Sequence, residues 1–536
     1  PYYYEPVPGL WDESNPGVYE LQMVGSPGDK YIWEDSSPTR ETDNTFYFDG
    51  RINYRRVFGN HTVSGMLMYM MREYFNAVLP YRNQGFSGRF TYDYFNKYLV
   101  EFNFGYNGTE RLAKGERFEF FPAVSLGWVA SNEPFWEPIS NVVDYLKLRT
   151  SYGLVGSDES GSGAGRFLYL QDVDMNGYNF TTGYEKFSTY NGPKIKSMRV
   201  ENAHWERSKK FNVGIDATLL NQVNLTLEYF HEKRDRILVK RGTFPWMAGY
   251  GESITPWSNM GKTTNEGFEA SVNWNKQLTR DLAVDFRGSF TYNRTILNEK
   301  DEPNYPYVWR TAKNKPLQST MGYVSLGLFE SDEEVANSPD QSYFGGRVQA
   351  GDIKYQDVNG DGVINDNDQV MISPYGSIPR MQFGLGMNIV YKKWDIGVFF
   401  NGTAQRTILM TSGGDVPVDI FPFTTPQSQT FSQLLQFVAD DHWSLENPNP
   451  AAKFPRLGIV YGDYKNNHQP STYWKRNGNY FRFKTFELGY TFPNVRVYFS
   501  GDNLAVWSPF KHWDPALWWN QYPMSRTFNI GAQVKF

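Results

Sequence analysis

The chain contains no cysteine and only six histidines among its 536 residues. Without thiols there is no disulfide scaffold and no thiolate metal site, and the histidines are scattered without ligand spacing. No run of apolar residues approaches the roughly 20 that a membrane-spanning helix requires. The formal net charge of −5 argues against a nucleic-acid partner.

Enzyme signatures are also missing from the sequence. We find no P-loop, no H-E-x-x-H, no G-x-S-x-G and no dinucleotide-binding fingerprint. Paired carboxylates occur only within predicted strands or in one acidic loop, so a glycosidase has no candidate residues here. We therefore predict that the chain is not an enzyme.

Aromatic residues are abundant, with 37 Tyr, 40 Phe and 16 Trp, while the mean hydropathy is −0.58. Such a chain is either a soluble protein or a membrane β-barrel, because alternating strands average to a polar-looking sequence. Aromatic girdles at two membrane interfaces would account for the excess of rings. Composition therefore keeps the membrane barrel open as a class.

Alternation of apolar and polar residues is the main structural signal. The terminal RTFNIGAQVKF places Phe528, Ile530, Ala532, Val534 and Phe536 on one face of a strand. The same period of two starts at Phe46 and recurs to the end of the chain, and we count about fifteen strands. Phe481 and Phe483 are out of phase with Phe486, which predicts a bulge near Lys484.

Short turns and long connections alternate along the chain, as expected when one rim of a barrel is periplasmic and the other external. We predict an all-β transmembrane antiparallel β-barrel that forms the C-terminal part of a barrel of about 22 strands. Residues 1–45 are assigned to an extracellular loop without a recognisable strand, and 46–536 to the barrel. Within it, 296–378 is an extracellular excursion and 412–472 a long extracellular loop.

The acidic segment 357–368 is the most specific chemical motif. Its side-chain oxygens at positions 1, 3, 5, 9 and 12, together with the carbonyl at position 7, match a calcium-binding loop, and glycine stands at position 6. The predicted ligands are Asp357, Asn359, Asp361, the carbonyl of Val363, Asn365 and Asp368. We expect Ca²⁺ to stiffen an external loop for docking of a partner; the alternative is a solvated acidic turn.

Several segments together resemble one family. WERSKKFNVGID (Trp205–Asp216), GDIKYQDVNGDGVINDNDQ (Gly351–Gln369) and YFRFKTFELGYTFP (Tyr480–Pro493) closely resemble SusC-like (SusC/RagA) TonB-dependent outer-membrane transporters of Bacteroidetes. The resemblance implies a 22-stranded barrel, an N-terminal plug domain that is absent from this chain, and energy from TonB through that missing region. It also implies a SusD-like surface lipoprotein as a lid, with oligosaccharides or peptides as cargo. A dimer of transporter–lipoprotein pairs is a further expectation.

Aromatic residues in the external loops are candidates for stacking on cargo, although most such rings pack loops together or lie in the membrane interface. The candidates are Trp246, Tyr250, Trp257, Tyr305, Tyr307, Trp309, Trp443 and Trp513, followed by Trp518 and Trp519. The charged residues predicted to face the lumen are Arg89, Asp93, Glu101, Asp216, Glu228, Glu269, Asp285 and Arg287. They either line a solute path or pair with one another and with the plug.

Three functions remain open from the sequence. The first is active import through a plugged barrel in the outer membrane. The second is a passive porin or surface receptor, which the same barrel physics allows. The third is a soluble all-β glycan-binding module, in which the apolar faces of the strands would form a core instead of contacting lipid.

Overall fold

A computed structural model describes residues 2–6, 19–23, 43–75, 80–159, 166–184, 188–200, 203–245, 247, 254–410, 436–457, 461–517 and 524–535. The chain divides into two units, one comprising 1–47 with 72–81 and the other 48–71 with 82–536. The first unit holds a strand pair, Tyr2–Pro6 with Tyr19–Met23. The prediction that 1–45 carries no strand was therefore wrong.

Fifteen long strands follow one another in chain order as neighbours in one antiparallel sheet. They are β1 Asn44–Phe58, β2 His61–Phe75, β3 Tyr81–Tyr94, β4 Tyr98–Thr109, β5 Phe118–Val129, β6 Val143–Ser157, β7 Glu206–Leu219, β8 Val223–Lys240, β9 Trp257–Thr279, β10 Leu282–Glu299, β11 Met381–Tyr391, β12 Trp394–Ala404, β13 Tyr480–Thr491, β14 Val495–Trp507 and β15 Thr527–Val534. A two-residue strand, Lys315–Pro316, pairs beside β10.

Tight turns join the strands at one rim of this sheet. Phe95 and Asn96 both have positive φ between β3 and β4, and Leu220 and Asn221 have the same geometry between β7 and β8. Positive φ at both central residues is the type I′ geometry that matches the twist of paired strands. The short turns predicted along one rim of the barrel are confirmed at these two places.

Lys484 is the site of a β-bulge. The register of β13 against β14 shifts between Phe483 and Thr485, and against β12 it shifts opposite Phe399 and Phe400. An extra residue on one strand returns the following side chains to the opposite face. The bulge predicted from the phase change of the phenylalanines is confirmed.

Large apolar side chains on one face of the sheet are exposed rather than buried. Ile52 is 74% exposed, Ile530 83% and Phe48 50%, and comparable residues occur on most of the fifteen strands. The other face carries the charged residues that alternate with them. A sandwich would bury the apolar face in its core. The faces therefore have the polarity of a sheet whose apolar side meets lipid.

The long connections contain short elements of their own. Their strands are Asp172–Thr182, Ser188–Ser197, Thr320–Gly322, Ser325–Leu328, Ile353–Tyr355, Val370–Ser373, Thr407–Leu409 and Lys475–Asn477. The α-helices are Asp332–Ala336 and Gln436–Ala439, and the 3₁₀ helices are Ala130–Asn132, Pro134–Ile139, Val308–Arg310, Ser342–Phe344, Asp366–Asp368 and Tyr461–His468. The excursion predicted at 296–378 begins only after β10 ends at Glu299.

One buried cluster joins the connections that follow β10, β12 and β14, and we call it the connection core. Its members are Tyr323, Leu328, Ile353, Tyr355, Ile364, Ile408, Met410, Val438, Trp443, Ala452, Phe454, Trp474 and Phe510. Backbone bonds tie the segments together, including the Tyr323 amide on the Pro470 carbonyl at 2.8 Å. The connections therefore form a packed module, not independent loops.

Candidate functional site

Ion pairs cover the polar face of the sheet. Arg149 on β6 contacts Asp216 (Nε to Oδ2, 3.0 Å) and Glu228, and Arg89 contacts Glu101 at 2.6 Å. Arg149 and Glu101 also border a cavity of about 510 Å³ on this face. Pairing of this kind was one of the two roles expected for the lumen-facing charges. This face can therefore present both signs of charge to a solute or a neighbouring domain.

The acidic loop folds around its own carboxylates. The Asp357 carboxylate accepts hydrogen bonds from the amides of Gly360 (2.7 Å) and Gly362 (2.8 Å), and Asp361 accepts one from the Val363 amide at 2.9 Å. Both glycines have positive φ, 76° and 83°, which glycine adopts without steric cost. The glycine required at position 6 of the motif therefore closes the turn as expected.

Asp368 closes this loop on itself, and Ile364 anchors the loop to the connection core. Asp368 is fully buried, and its carboxylate accepts from the amides of Val358 (2.8 Å) and Asn365 (2.9 Å). Ile364 is equally buried in the connection core, and its amide donates to the Asp340 carbonyl at 2.8 Å. The loop is thus closed internally by Asp368 and held to the rest of the protein through Ile364.

The donor set of the loop consists of carboxylate, amide and carbonyl oxygens, which is the chemistry that Ca²⁺ prefers. Within the described residues, no three His, Cys, Asp or Glu side chains converge closely enough to hold a metal ion. The carboxylates instead bond to backbone amides of the same loop. The residue types therefore fit calcium, and the calcium site stays a prediction.

The predicted aromatic residues of segment 305–310 lie together against the end of the acidic loop. The rings of Tyr307 and Trp309 stack with centroids 4.6 Å apart and 15° between their planes. The Trp309 indole nitrogen donates to the Asn367 carbonyl at 2.7 Å. The Arg310 guanidinium lies 5.2 Å above the Tyr305 ring. Tyr307 and Trp309 thus form a stacked surface with a fixed position on the loop, and Arg310 covers the Tyr305 ring near it.

Two further residues beside this surface, Tyr343 and Asp366, were not predicted as site residues from the sequence. Tyr343 is 56% exposed, and the neighbouring Asp366 carboxylate raises the pKa of its phenol. Arg310 approaches the same carboxylate at 3.9 Å. Asp366 belongs to the acidic motif, but Tyr343 lies in a separate turn and carries no periodic or motif signal. Tyr343 and Asp366 therefore place a phenol and a carboxylate beside Arg310 and the stacked rings.

Other predicted aromatic residues are packed into the protein. Trp443 is only 4% exposed within the connection core, with the backbone of Gly351 against its ring, so it offers no face to a cargo. The expectation for Trp443 was wrong. Trp513 packs against the connection core, and Trp257 packs against a second buried cluster, which contains Trp205. Trp246, Tyr250, Trp518 and Trp519 lie outside the described residues.

A buried ion pair lies next to the connection core. Asp352 is 1% exposed and pairs with Arg456 at 2.6 Å, and the side-chain amide of Asn467 donates to the Asp352 carboxylate at 2.8 Å. Burial raises the pKa of the Asp352 carboxyl, although the guanidinium of Arg456 opposes the shift. Burial likewise raises the pKa of the Tyr355 phenol well above its ordinary value. This part of the module excludes water.

Among the described residues, no helix has both the length and the apolar character needed to cross a membrane. The long antiparallel sheet with an exposed apolar face, a charged opposite face and alternating short and long connections defines a membrane β-barrel protein. More narrowly, the chain belongs to the family described as TonB dependent receptor-like, beta-barrel, whose model matches residues 11–504. Proteins of this family lie in the outer membrane and are transporters and receptors, not enzymes.

Curated relatives support the assignment. A TonB-dependent receptor of Formosa agariphila is 25% identical over 492 residues, covering 84% of this chain and 46% of that protein. The TonB-dependent receptor SusC of Bacteroides thetaiotaomicron is 25% identical over 477 residues, covering 84% of this chain and 43% of SusC. The chain thus spans about half the length of the curated relatives that it matches.

Solved structures show the same fold. The structure of the RagAB peptide transporter matches with a TM-score of 0.68 at 18% identity, covering 92% of this chain and 56% of that one. A RagAB peptide importer in an open state matches with a TM-score of 0.67 at 19% identity. The predicted SusC/RagA-type outer-membrane β-barrel is confirmed.

Proposed function

We propose that this chain is the barrel portion of a SusC/RagA-type importer that takes up oligosaccharides or peptides across the outer membrane. The observation that carries the proposal is the arrangement of the sheet, with lipid-facing apolar residues on one side and ion-paired polar residues on the other. Similarity to SusC over 84% of the chain supports the same function. TonB supplies the energy through a region outside this chain.

The rim of long connections is the surface for a SusD-like lipoprotein lid. The connection core gives that rim a rigid module, because Trp474, Phe454 and Ile353 are almost completely buried there. A preorganised surface loses less conformational entropy on binding than independent loops would. Two transporter–lipoprotein pairs associate as a dimer in this proposal.

Cargo meets the aromatic surface of Tyr305, Tyr307 and Trp309, with Asp366 and Tyr343 beside it. Stacked rings can bind a sugar face or an apolar peptide side chain, and the carboxylate accepts hydrogen bonds from hydroxyl or amide groups. RagAB, one of the structural relatives, is described as a peptide transporter, and that description applies to RagAB alone. Oligosaccharides and peptides are therefore both proposed as cargo for this chain.

Calcium at the acidic loop would be a structural ion in this mechanism. Asp357, Asn359, Asp361, Val363, Asn365 and Asp368 would hold it, and the ion would lock the position of the loop. Trp309 donates to the backbone of that loop, so the aromatic surface would be fixed with it. Replacing Asp357 and Asp361 should weaken binding of the lid, and lid binding that is unchanged in chelator would contradict the role.

Two alternatives make different predictions. A passive porin or surface receptor would have the same sheet and would need no energy source. A soluble glycan-binding module needs the apolar strand faces as its core, and the exposure of Ile52 and Ile530 opposes it. The porin or receptor is therefore the alternative that needs an experiment.

The test is uptake of a labelled oligosaccharide or peptide pool by cells that carry the full-length protein. The importer predicts accumulation against a gradient that is lost when TonB is deleted or the proton gradient is collapsed. A porin predicts equilibration that is unaffected by either treatment. A receptor predicts surface binding without entry, and both of these results would overturn the proposal.

A further inference from the structure

One turn on the rim of tight turns is much longer than its neighbours. Most strand pairs at this rim are joined by two or three residues, as at 59–60, 95–97, 220–222 and 392–393. Residues 130–142 between β5 and β6 instead form two short 3₁₀ helices, Ala130–Asn132 and Pro134–Ile139. Two or three residues are enough to connect neighbouring strands of a barrel, so the length of this turn indicates a role beyond connecting β5 and β6.

The turn is fixed in position by a carboxylate. Glu133 accepts a hydrogen bond from Lys97 Nζ at 3.1 Å and one from the Trp128 indole nitrogen at 3.3 Å. Asn132 donates to the Asn96 carbonyl at 2.8 Å, and the Trp136 indole nitrogen donates to the Val143 carbonyl at 2.8 Å. These bonds hold the turn against the adjacent β3–β4 turn and the start of β6.

The fixed turn nevertheless exposes large apolar side chains. Phe135 is 62% exposed, Ile139 46% and Val142 57%, and no residue of the Pro134–Ile139 helix is buried. Leu220 from the β7–β8 turn is 54% exposed, and its amide donates to the Val142 carbonyl at 3.0 Å. Two adjacent turns thus present an apolar surface that their own contacts leave open.

This surface continues the lipid-facing side of the sheet. On β5, Leu126 and Trp128 belong to the exposed apolar face, and Ser125 and Gly127 alternate with them on the opposite face. The Phe135 ring lies 6.3 Å from the Trp128 ring and therefore sits on the apolar side. An apolar surface that extends directly from a lipid-facing strand, with indoles at its border, fits the headgroup–acyl boundary of a bilayer.

We propose that residues 134–142, with Leu220, form an interfacial anchor that inserts Phe135, Ile139 and Val142 into the phospholipid boundary at the rim of tight turns. The Glu133 contacts with Lys97 and Trp128 are the positioning element, since they neutralise the nearby carboxylate and aim the turn at lipid. Glu137 shares a face of the helix with Pro134, because a 3₁₀ helix has three residues per turn, and it stays in water. The inference rests on the membrane location of the sheet but not on the importer function.

The absence of cysteine from the chain allows a site-specific test. Single variants Phe135→Cys, Ile139→Cys and Glu137→Cys are made in the full-length protein, with any cysteine outside this chain replaced by serine. Each is labelled with a nitroxide and reconstituted in vesicles of phosphatidylethanolamine and phosphatidylglycerol. Collision rates with dissolved oxygen, which favours lipid, and with a water-soluble nickel chelate are then measured by electron paramagnetic resonance.

The anchor predicts a severalfold higher ratio of oxygen to nickel collisions at positions 135 and 139 than at 137. Low ratios at positions 135 and 139, no higher than the ratio at 137, would place the turn in water and overturn the proposal. Protection of 135 and 139 from both reagents would assign the surface to a protein partner, which also overturns it. If a variant fails to fold, as judged by loss of resistance to detergent at room temperature, Val142→Cys and Leu220→Cys report on the same surface.

Discussion

Large apolar side chains are arranged in opposite ways in the fifteen-stranded sheet and in the connection core. Ile530 on β15 is 83% exposed, whereas Trp474 and Ile353 in the connections are 0% exposed. The residue types are similar, so composition alone does not distinguish the two regions. The difference indicates two solvents, lipid around the sheet and water around the connections. Each region keeps its apolar surface out of water, the sheet by contact with lipid and the connections by burial in a core.

Ion pairs also differ in position between the sheet and the connections. On the sheet, ion pairs such as Arg89 with Glu101 lie on the face opposite the apolar residues. In the connections, the Asp352–Arg456 pair is itself buried.

Arg456→Met should destabilise the connection module by about 3–5 kcal/mol, because it leaves the Asp352 carboxylate buried without its facing cation. The pKa of Asp352 is already raised by burial, so the folded module binds that proton more tightly than the unfolded chain does. Stability of the variant should therefore fall as pH rises through that pKa. Native-state hydrogen exchange of the Ile353 and Tyr355 amides at several pH values measures both effects.

The control for that prediction is Lys453→Met, which removes an exposed pair with Asp441. Its cost should be about 0–1 kcal/mol, as for surface pairs generally. Equal losses in the two variants would show that burial of the Asp352 pair does not determine its contribution.

Trp474→Ala should cost about 3–5 kcal/mol in the connection core, because a fully buried ring is replaced by a cavity. Limited proteolysis should then cleave the connections while the sheet keeps its resistance to detergent. Trp507→Ala on β14 is the matched control, since that ring is 53% exposed on the apolar face. Simultaneous loss of the sheet in Trp474→Ala would contradict the separation of the two regions.

Ile530→Arg should destabilise the sheet by about 2–4 kcal/mol if the residue lies near the bilayer midplane, because a charge would face hydrocarbon. Gln533→Arg, on the opposite face of the same strand, should have a much smaller effect. Unfolding in denaturant from lipid vesicles compares the two variants. Similar losses would mean that the two faces of β15 meet the same solvent.

Calcium removal should have a smaller effect than the substitutions in the connection core and on β15. With calcium at ten times its dissociation constant, binding stabilises the connection module by about 1.4 kcal/mol. Chelator should therefore increase hydrogen exchange around Ile364 in the wild-type protein and leave the double variant Asp357→Asn, Asp361→Asn unchanged. An identical response of both proteins to chelator would show that calcium does not bind at the acidic loop.

Much of the sheet could be predicted from the sequence, because strand periodicity is a local signal. Alternation from Phe46 onward and the phase change near Lys484 gave the strands and the bulge directly. The strand pair Tyr2–Pro6 with Tyr19–Met23 was missed, since five-residue strands among prolines and acids show little alternation. The hairpin Asp172–Thr182 with Ser188–Ser197 was missed within a long connection for a similar reason.

The candidate site was harder to predict. The acidic motif and the Tyr305, Tyr307 and Trp309 cluster have local signals, a fixed spacing and closely spaced aromatic residues. Burial of Trp443 depends on the packing of connections that are far apart in the sequence, for which no periodicity exists. The same holds for Tyr343, whose position beside Asp366 results from tertiary folding.

The central proposal is that this chain forms the barrel wall of an energised importer with a lipoprotein lid. The most direct test is purification of the full-length protein from its native outer membrane in mild detergent, followed by mass spectrometry of what stays bound. We expect a plug-bearing segment and a SusD-like surface lipoprotein in amounts comparable to the barrel. Recovery of the barrel without either would contradict the importer and favour a porin or receptor.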